Sequence, residues 1–310
     1  MTRTRVAVVG GGQNCEHEVS LASADSVAAA LDPAAYDVVR LTIAPDGSWP
    51  GLGLADAVRV LQGCDVVVPV VHGPRGEDGT LAALSDLAGV AYVGSGVRAG
   101  ALAMDKWATK LVAGAVGVAT APGVLLTSAS AASYAWTHPV VVKPVAAGSS
   151  RGVSLVERAE DLGPALAAAF ALDVRALVED VVRGREIDVA VLGRPDGTRV
   201  VSPALEIAVD GVFGYEEKYG GHARFEVPAP LDEADRKSLE DAAVAVFDAL
   251  GCAGVARVDF FLPEGGGGPV LNEVNTMPGF TEASQVPKMF AADGLAYPAL
   301  LDLLVQDCLA

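Results

Sequence analysis

Short apolar runs separated by helical patterns fill the first hundred residues of the chain. The apolar runs are RVAVVG, YDVVRLTI, DVVVPVVHG and AYVGSG, and helical patterns such as SLASADSVAAALD and GTLAALSDLAG lie between them. Runs that are apolar without alternation are typical of parallel strands buried on both faces. The pattern therefore predicts a layered parallel-sheet domain of βαβ units over residues 1–98.

Two polar loops follow strands of this domain. They read GGGQNCEHE and HGPRGEDG, and we expect both at one edge of the sheet, where ligands usually bind. The glycine turn before a helix is weak evidence for an anion site. It does not match G-x-G-x-x-G, so it does not support a dinucleotide.

The rest of the chain predicts two further units, so the whole is an α/β (α+β) chain of three domains. Residues 99–182 combine a helix over about 101–115 with the strands HPVVVKPV, VSLV and RALVEDVV and the helix AEDLGPALAAAF. Residues 183–310 begin with the strands EIDVAVLG and RVVSPALEIA, followed by an irregular stretch. A helix over about 233–250 comes next, with Gly251 as its C-terminal stop.

A hairpin, RVDFFLPEGGGGPVLNEVN, follows that helix. Folding it about Gly266 places Asp259 opposite Glu273 and Arg257 opposite Asn275. Carboxylates facing each other across strands oppose folding, and a hard divalent cation would relieve the repulsion. We therefore predict that Asp259, Glu273 and Asn275 hold one or two Mg²⁺ ions with a nucleoside triphosphate. The alternative is a solvated hairpin face with ordinary surface charge.

A second candidate site is VVKPVAAGSSRGVSLV, residues 141–156, which predicts two strands joined by a loop of small residues. Backbone N–H groups of such a loop can close on an anion, and Lys143 offers a charge to a phosphate. The alternative is a flexible hairpin with a surface lysine.

Three other charged residues are ambiguous when taken singly. Lys106 lies on a helix with an apolar opposite stripe, so a solvated lysine is the simplest interpretation. Glu179 and Glu186 lie at strand ends, where carboxylates can bind an adenine amino group and ribose hydroxyls or can simply be exposed.

Composition and charge exclude several function classes. The chain has 310 residues, is 51% hydrophobic and carries a net charge of −17, which disfavours duplex nucleic acid or an anionic membrane as partner. The four cysteines have no zinc-site or redox spacing. Neither a signal segment nor an apolar run of about 20 residues is present, so we expect a cytoplasmic protein. The four histidines lack metal-ligand spacing.

Seven segments, taken in order, resemble the D-alanine:D-alanine ligases of the ATP-grasp group over nearly the whole chain. They are EHEVSL, HGPRGEDGTL, GSGVRAGALAMDK, VVKPVAAGSSRGVS, YEEKY, ARVDFF and NEVNTMPGFTEAS. The resemblance implies a three-domain ATP-grasp fold with a Rossmann-like N-terminal parallel-sheet domain. It also implies a cytoplasmic homodimer that ligates D-alanine for peptidoglycan, with ATP and two Mg²⁺ ions, Mn²⁺ being a substitute.

Individual roles can be carried over from the resemblance. The implied ATP-binding residues are Lys106, Lys143, Ser150, Glu179, Asp180, Val182, Glu186 and Lys218, and the implied metal ligands are Asp259, Glu273 and Asn275. The implied catalytic residues are Glu16, Ser149, Tyr219, Arg257 and Gly279, and the substrate-binding ones are Glu16, His72, Ser284 and Gln285.

These roles describe a pathway for both substrates. Glu16 receives the ammonium group of the first D-alanine and is linked through Ser149 to Tyr219. Arg257 and the Gly279 N–H face the developing oxyanion, and Ser284 is placed for the carboxylate of the second substrate. His72 lies near the first pocket.

The segment VFGYEEKYGGHARF is expected to be a lid that carries Lys218 and Tyr219 over the intermediate.

Gln285 departs from the family pattern. D-alanine-specific members usually have a bulky apolar residue here, and the D-lactate- and D-serine-using relatives usually have arginine. A ligase that joins D-alanine to another second substrate is therefore the alternative, although EKY in the lid favours the D-alanine form. A catalytically dead nucleotide-binding module would show damage at Arg257, Asp259, Glu273 or Asn275, and all four are intact.

Overall fold

The computed structural model describes residues 3–208 and 224–310. Within these ranges the strands form three sheets, of four, seven and four strands. None of the helices in these ranges is long and apolar enough to cross a membrane.

The first sheet is wholly parallel, as predicted, with strand order β2-β1-β3-β4. Its strands are β1 (Thr4–Gly11), β2 (Tyr36–Ile43), β3 (Val66–Pro69) and β4 (Ala91–Tyr92). Its helices are α1 (His17–Ala30), α2 (Leu54–Gln62) and α3 (Thr80–Ala88). Both faces are buried: Val6 and Val8 lie in one apolar cluster, and Ala7 and Val9 in another. Continuous apolar strands follow from this double burial.

Two helices, α4 (Val97–Met104) and α5 (Lys106–Ala115), connect the first sheet to the rest. The prediction of one helix over 101–115 is wrong, because Asp105 adopts extended backbone and its side chain caps α5 by accepting from the Ala108 N–H.

An antiparallel sheet of order β6-β9-β7-β8 follows. Its strands are β6 (Gly123–Thr127), β7 (Val140–Pro144), β8 (Ser154–Val156) and β9 (Arg175–Asp180). The helices beside it are α6 (Ser128–Ala131), a 3₁₀ turn (Ala159–Asp161) and α7 (Leu162–Phe170). The predicted hairpin over 141–156 is confirmed as β7 and β8.

The large sheet has the order β13-β12-β10-β14-β15-β5, with β11 paired to β10. Its strands are β5 (Ala119–Thr120), β10 (Gly184–Gly193), β11 (Arg199–Val201), β12 (Leu205–Ala208), β13 (Arg224–Glu226), β14 (Gly254–Pro263) and β15 (Val270–Asn275). The predicted strand RVVSPALEIA is interrupted at Pro203, which lacks the N–H that a ladder needs.

Helix α8 (Glu233–Leu250) packs on the large sheet through Leu239, Val246 and Phe247, and Gly251 ends it in a left-handed conformation, as predicted. The helices α4 and α5 pack into the same cluster through Ala99, Ala103 and Ala113.

The last two helices, α9 (Gln285–Ala292) and α10 (Tyr297–Leu309), return the chain to the first sheet. The Tyr36 hydroxyl on β2 donates to Asp302 Oδ1 at 2.5 Å, and Leu300, Leu301 and Leu304 are buried in the cluster that includes Val6. Helix α10 therefore fixes the first sheet to the C-terminal part of the chain.

Candidate active site

A cleft of about 1030 Å³ lies between the antiparallel sheet and the large sheet. Its walls include every predicted ATP-binding residue in the described part of the chain: Lys106, Lys143, Ser150, Glu179, Asp180, Val182 and Glu186. Lys218, Tyr219 and most of the predicted lid lie outside the described residues.

Lysine side chains from α5 and β7 meet one carboxylate in this cleft. Glu179 on β9 is buried and contacts Lys110 Nζ, and Lys143 Nζ lies 2.6 Å from its Oε2. Burial alone would raise the pKa of Glu179, but attraction to Lys143 and Lys110 outweighs it and lowers that pKa. Lys143 also donates to Asn272 Oδ1 at 3.2 Å. The surface-lysine alternative for Lys143 is therefore wrong.

Lys110 was missed in the sequence. The available signal was its position four residues after Lys106, which places both on one helix face.

Lys106 is also buried, with 8% of its surface exposed, so the interpretation as a solvated lysine is wrong. Its Nζ donates to the Ala147 carbonyl at 2.8 Å and lies 3.2 Å from Glu273 Oε2. Lys106 therefore joins the loop after β7 to the hairpin of β14 and β15.

Both predicted pairs of the hairpin are confirmed: Asp259 pairs with Glu273 and Arg257 with Asn275, and the register shifts by one residue between Asp259 and Phe260. Asp259 is 2% exposed, so the hairpin face is not an ordinary charged surface. The next strand adds Asp188, which is fully buried and pairs with Asp259 across β10 and β14. Asp188 was not predicted, since it lies 71 residues before Asp259 and sequence periodicity alone does not reveal the register of the two strands.

The donor set of this face fits Mg²⁺. Asp259 and Glu273 supply carboxylates and Asn275 an amide, and Mg²⁺ completes such a set with water and phosphate oxygens. Arg257 contacts Asp259, and Lys106 contacts Glu273, so each carboxylate has a cationic neighbour. The described residues contain no cluster of three or more His, Cys, Asp or Glu that would hold a metal by itself.

Arg257 is held on several sides. Its Nε and Nη2 donate to the two oxygens of Asp259 at 2.7 Å each, and its Nη1 donates to Gln285 Oε1 at 2.6 Å. Burial would lower the pKa of Arg257, but Asp259 and Asp188 raise it well above its ordinary value. Arg257 is therefore a fixed cation at the inner end of the site.

The segment after β15 carries Gly279 and Ser284 next to this arginine's partner Gln285. The Ser284 hydroxyl lies 2.8 Å from Thr281 Oγ1, and a Cβ on Gly279 would lie 3.4 Å from Ser284 Oγ. Ser284 immediately precedes α9.

The two predicted loops of the first sheet lie side by side at its edge, as expected. Asn14 Nδ2 donates to the His72 carbonyl at 2.7 Å, and a Cβ on Gly73 would lie 2.5 Å from Glu16 Oε2. Glu16 is 9% exposed and accepts from the Ser149 hydroxyl. Its Oε2 is buried and has no hydrogen-bond partner among the described residues. An incoming ammonium group would satisfy this oxygen.

The loop that carries Ser149 is strained. Ser149 and Ser150 adopt φ of 51° and 54°, in the left-handed region that non-glycine residues seldom occupy. Each such residue costs about 1–3 kcal/mol, and strain of this kind is concentrated at functional sites.

His72 is buried, and both its ring nitrogens face the protein. Its Nδ1 donates to the Met277 carbonyl at 2.8 Å, and its Nε2 lies 3.1 Å from Ser23 Oγ. Burial lowers the pKa of His72, so the ring is neutral. His72 therefore touches the segment after β15.

Comparison with known proteins agrees with this arrangement. The family model described as D-ala D-ala ligase C-terminus matches residues 121–306, and the one described as D-ala D-ala ligase N-terminus matches residues 5–57 and 51–95. The D-alanine–D-alanine ligase of Mycolicibacterium paratuberculosis is 41% identical, over 99% of this chain and 97% of the relative. That of Mycobacterium tuberculosis is 39% identical, over 99% and 96%.

Solved structures agree as well. The VanG D-Ala:D-Ser ligase of Enterococcus faecalis superposes with a TM-score of 0.86 at 33% identity, over 98% of this chain and 99% of that one. The D-alanine–D-alanine ligase of Coxiella burnetii gives 0.84 at 31%, over 100% and 94%. The chain therefore belongs to the D-alanine–D-alanine ligase family and has its ATP-grasp fold.

Proposed function

We propose that this protein joins two molecules of D-alanine to D-alanyl-D-alanine for peptidoglycan, converting ATP to ADP and phosphate. A single observation carries the proposal: contacts and neighbouring positions link Glu16 to Gln285. Ser149 donates to Glu16, and Ala147, two residues before Ser149, accepts from Lys106. Lys106 contacts Glu273, which is the strand partner of Asp259. Arg257 then donates both to Asp259 and to Gln285. A site for an amino acid, a triphosphate cleft and an oxyanion cation are thereby contiguous.

The first D-alanine binds with its ammonium group at Glu16. The buried Oε2 of Glu16 supplies the acceptor, and Ser149 holds the other carboxylate oxygen. Gly73 and Gly148 line this position, and a Cβ on either would come within 2.5 Å of Glu16 Oε2. The space beside this oxygen therefore depends on two residues without side chains.

The carboxylate of this D-alanine then attacks the γ-phosphorus of ATP. A free carboxylate is a poor acyl donor and must first be activated. Its oxygen forms a bond to the γ-phosphorus while the bond from that phosphorus to ADP breaks, which gives an acylphosphate and ADP. Lys106 and Lys143 neutralise charge on the transferring group, joined by Lys218 from the lid. Glu179, Asp180, Val182 and Glu186 bind the adenosine end of the cleft.

Asp259, Glu273 and Asn275 would hold two Mg²⁺ ions, and Mn²⁺ would be able to replace them. When bound, the metal neutralises negative charge on the transferring phosphoryl group.

The amine of the second D-alanine, once it has lost a proton, attacks the acyl carbon. The tetrahedral intermediate places a negative charge on the former carbonyl oxygen, where Arg257 and the Gly279 N–H stabilise it. Loss of one such donor typically lowers kcat by about 10²–10³. Collapse of the intermediate expels phosphate and leaves the peptide bond, with Ser284 near the new carboxylate.

A different second substrate is the alternative function. Gln285 is polar where an apolar residue is usual, and a D-Ala:D-Ser ligase is among the similar structures. The carboxamide of Gln285 already forms hydrogen bonds with Arg257 and Asp188. These two contacts turn the carboxamide toward the protein and away from a polar second substrate, which favours D-alanine.

Phosphate release from ATP tests both possibilities, first with D-alanine alone and then with added D-serine, D-lactate or other amino acids, the products being identified by mass. D-alanyl-D-alanine from D-alanine alone supports the main proposal. Product that forms only when a second partner is added supports the alternative. If no phosphate is released in either assay, both proposed functions are contradicted.

We also propose a cytoplasmic homodimer. Leu52, Leu54 and Leu87 of the first 95 residues are 37%, 58% and 87% exposed, which supplies apolar surface for self-association. Light scattering on a size-exclusion column measures the mass, and a monomer at micromolar concentration would contradict the proposal. The domain limits 1–98, 99–182 and 183–310 likewise stand as a proposal.

A further inference from the structure

Both backbone polar groups of Met277 are held by side chains of one loop of the first sheet. The Met277 N–H donates to Glu77 Oε1 at 3.1 Å, and its carbonyl accepts from His72 Nδ1 at 2.8 Å. The Thr276 hydroxyl adds a bond of 3.3 Å to the Glu77 carbonyl. Loop 72–79 therefore forms hydrogen bonds with a backbone segment that lies about 200 residues later in the chain.

Hydrogen bonds to this backbone segment continue beyond Gly279. The Phe280 N–H donates to Ser23 Oγ at 3.2 Å, and Ser23 is the other partner of the His72 ring. The Gly279 peptide thus lies between two points, Met277 and Phe280, that are both fixed to the first sheet and its helix α1.

The geometry explains why this position carries a carboxylate. Glu77 accepts from the Met277 N–H through Oε1 and from the Gly73 N–H through Oε2, the latter at 2.7 Å. The two backbone donors contact different oxygens of this carboxylate, whereas a glutamine would place an NH₂ group, which cannot accept, against one of them.

The surroundings disfavour a negative charge here. Burial and the nearby Glu16 and Glu273 raise the pKa of Glu77 to about 7, against the effect of its two backbone bonds. A neutral side chain would avoid this electrostatic cost, so the bidentate contact is the feature that distinguishes glutamate.

We propose that Glu77 is a positioning residue for ligation. By holding the Met277 backbone, it fixes the position of the Gly279 N–H relative to the loops of the first sheet that bind the first amino acid. This inference rests on the proposed ligase function, in which that N–H faces the oxyanion. Glu77 itself touches neither substrate in this scheme.

The neighbouring Asp78 supplies a matched control. Its carboxylate also accepts from two backbone N–H groups, those of Arg75 at 2.9 Å and Thr80 at 3.0 Å. Arg75 lies in the same loop and Thr80 begins α3 directly after it, so Asp78 shapes the loop and its exit without reaching the segment after β15. The two acids therefore separate loop shape from the long-range contact.

The experiment measures kcat, the KM for ATP and the melting temperature of Glu77→Gln, Glu77→Asp and Asp78→Asn in the full chain. We expect Glu77→Gln to lower kcat by about 10- to 100-fold, since a displacement of about 1 Å can cost 10²-fold. The KM for ATP should change less than about threefold, because the lysines of the cleft are untouched. Glu77→Asp should lose activity similarly, because its shorter side chain keeps the charge but not the reach. Asp78→Asn should keep kcat within about threefold.

A second readout separates the two half-reactions. Positional isotope exchange in ATP with D-alanine reports acylphosphate formation, which should persist in Glu77→Gln while dipeptide formation falls. Equal loss of exchange and dipeptide would overturn the inference, as would a kcat within threefold of the unmodified chain.

Two further outcomes are informative. If Glu77→Gln is unfolded at the assay temperature, Glu77→Asp decides by the same criteria. Absence of dipeptide with the unmodified chain contradicts the ligase proposal instead, so the two failures are distinguishable.

Discussion

Gln285 Nε2 donates to Asp188 Oδ2 at 3.0 Å, while the carbonyl oxygen of the same carboxamide accepts from Arg257. The first residue of α9 is thereby fixed to the buried Asp188 on β10 and to Arg257 on β14, whose side chain is 13% exposed. A glutamine can bridge an anion and a cation because it carries one donor group and one acceptor. An apolar residue at this position could do neither.

Replacing Gln285 with leucine tests this bridge. The change removes a hydrogen bond to each of two charged groups, and each is worth about 1.5–3 kcal/mol. We expect kcat to fall roughly tenfold, with a changed KM for the second D-alanine and an unchanged KM for ATP. Steady-state kinetics with D-alanine varied over a wide range resolves the two D-alanine sites.

Glu is the informative comparison at position 285. Gln285→Glu keeps an acceptor for Arg257 but places a carboxylate against Asp188, so it should be slower than Gln285→Leu. A leucine variant as fast as the unmodified chain would show that the bridge has no role in turnover.

Lys110 offers a prediction about stability. Lys110→Met removes one of the two cations at the buried Glu179, and breaking a buried pair costs about 3–5 kcal/mol because a charge is left behind. Retention of Lys143 should place the loss at the low end, about 3 kcal/mol in the free energy of unfolding. Urea unfolding measures this value.

The matched control is Lys237→Met. Lys237 pairs with Asp241 at 2.6 Å, but both side chains are 66% exposed, so the loss should be below about 1 kcal/mol. Equal losses in the two variants would contradict a special role for the Lys110 contact.

The hairpin shows how far the sequence alone was sufficient. Folding about Gly266 predicted the pairing of Asp259 with Glu273 correctly, but nearer the turn the register is shifted by one residue, since Phe260 pairs with Leu271. Asp188 and Glu77 were missed because their contacts join segments 71 and 200 residues apart. The break between α4 and α5 was missed because the pattern stays helical through Asp105, and only the capping bond reveals the end.

Glu273→Gln tests the metal assignment. The variant loses one of the charged oxygen ligands but keeps its size, so we expect loss of Mg-ATP turnover by at least about 10²-fold with the fold intact. Turnover measured over a range of Mg²⁺ concentrations, with the melting temperature, checks both halves of this expectation. Glu233→Gln, an exposed acid on α8, should leave turnover unchanged. Unimpaired turnover of Glu273→Gln would rule out this ligand.

The stability of the ligand-free protein should depend on the protonation of Glu77. Its pKa is about 7 in the folded chain against an ordinary 4.5, so the folded state binds the proton more tightly than the unfolded state. The resulting stabilisation is complete below about pH 4.5 and is lost as the pH rises through about 7, amounting to at most about 3 kcal/mol. His72 acts in the opposite direction, because burial lowers its pKa and its protonation at acid pH disfavours folding.

The difference between the unmodified chain and Glu77→Gln isolates the Glu77 contribution, since His72 is present in both. Urea unfolding of the two proteins at pH values from 5 to 8 should give a difference that shifts against the unmodified chain as the pH rises. A difference that stays constant over this range would show that Glu77 is charged throughout, so that its two backbone hydrogen bonds outweigh burial and the repulsion from Glu16 and Glu273.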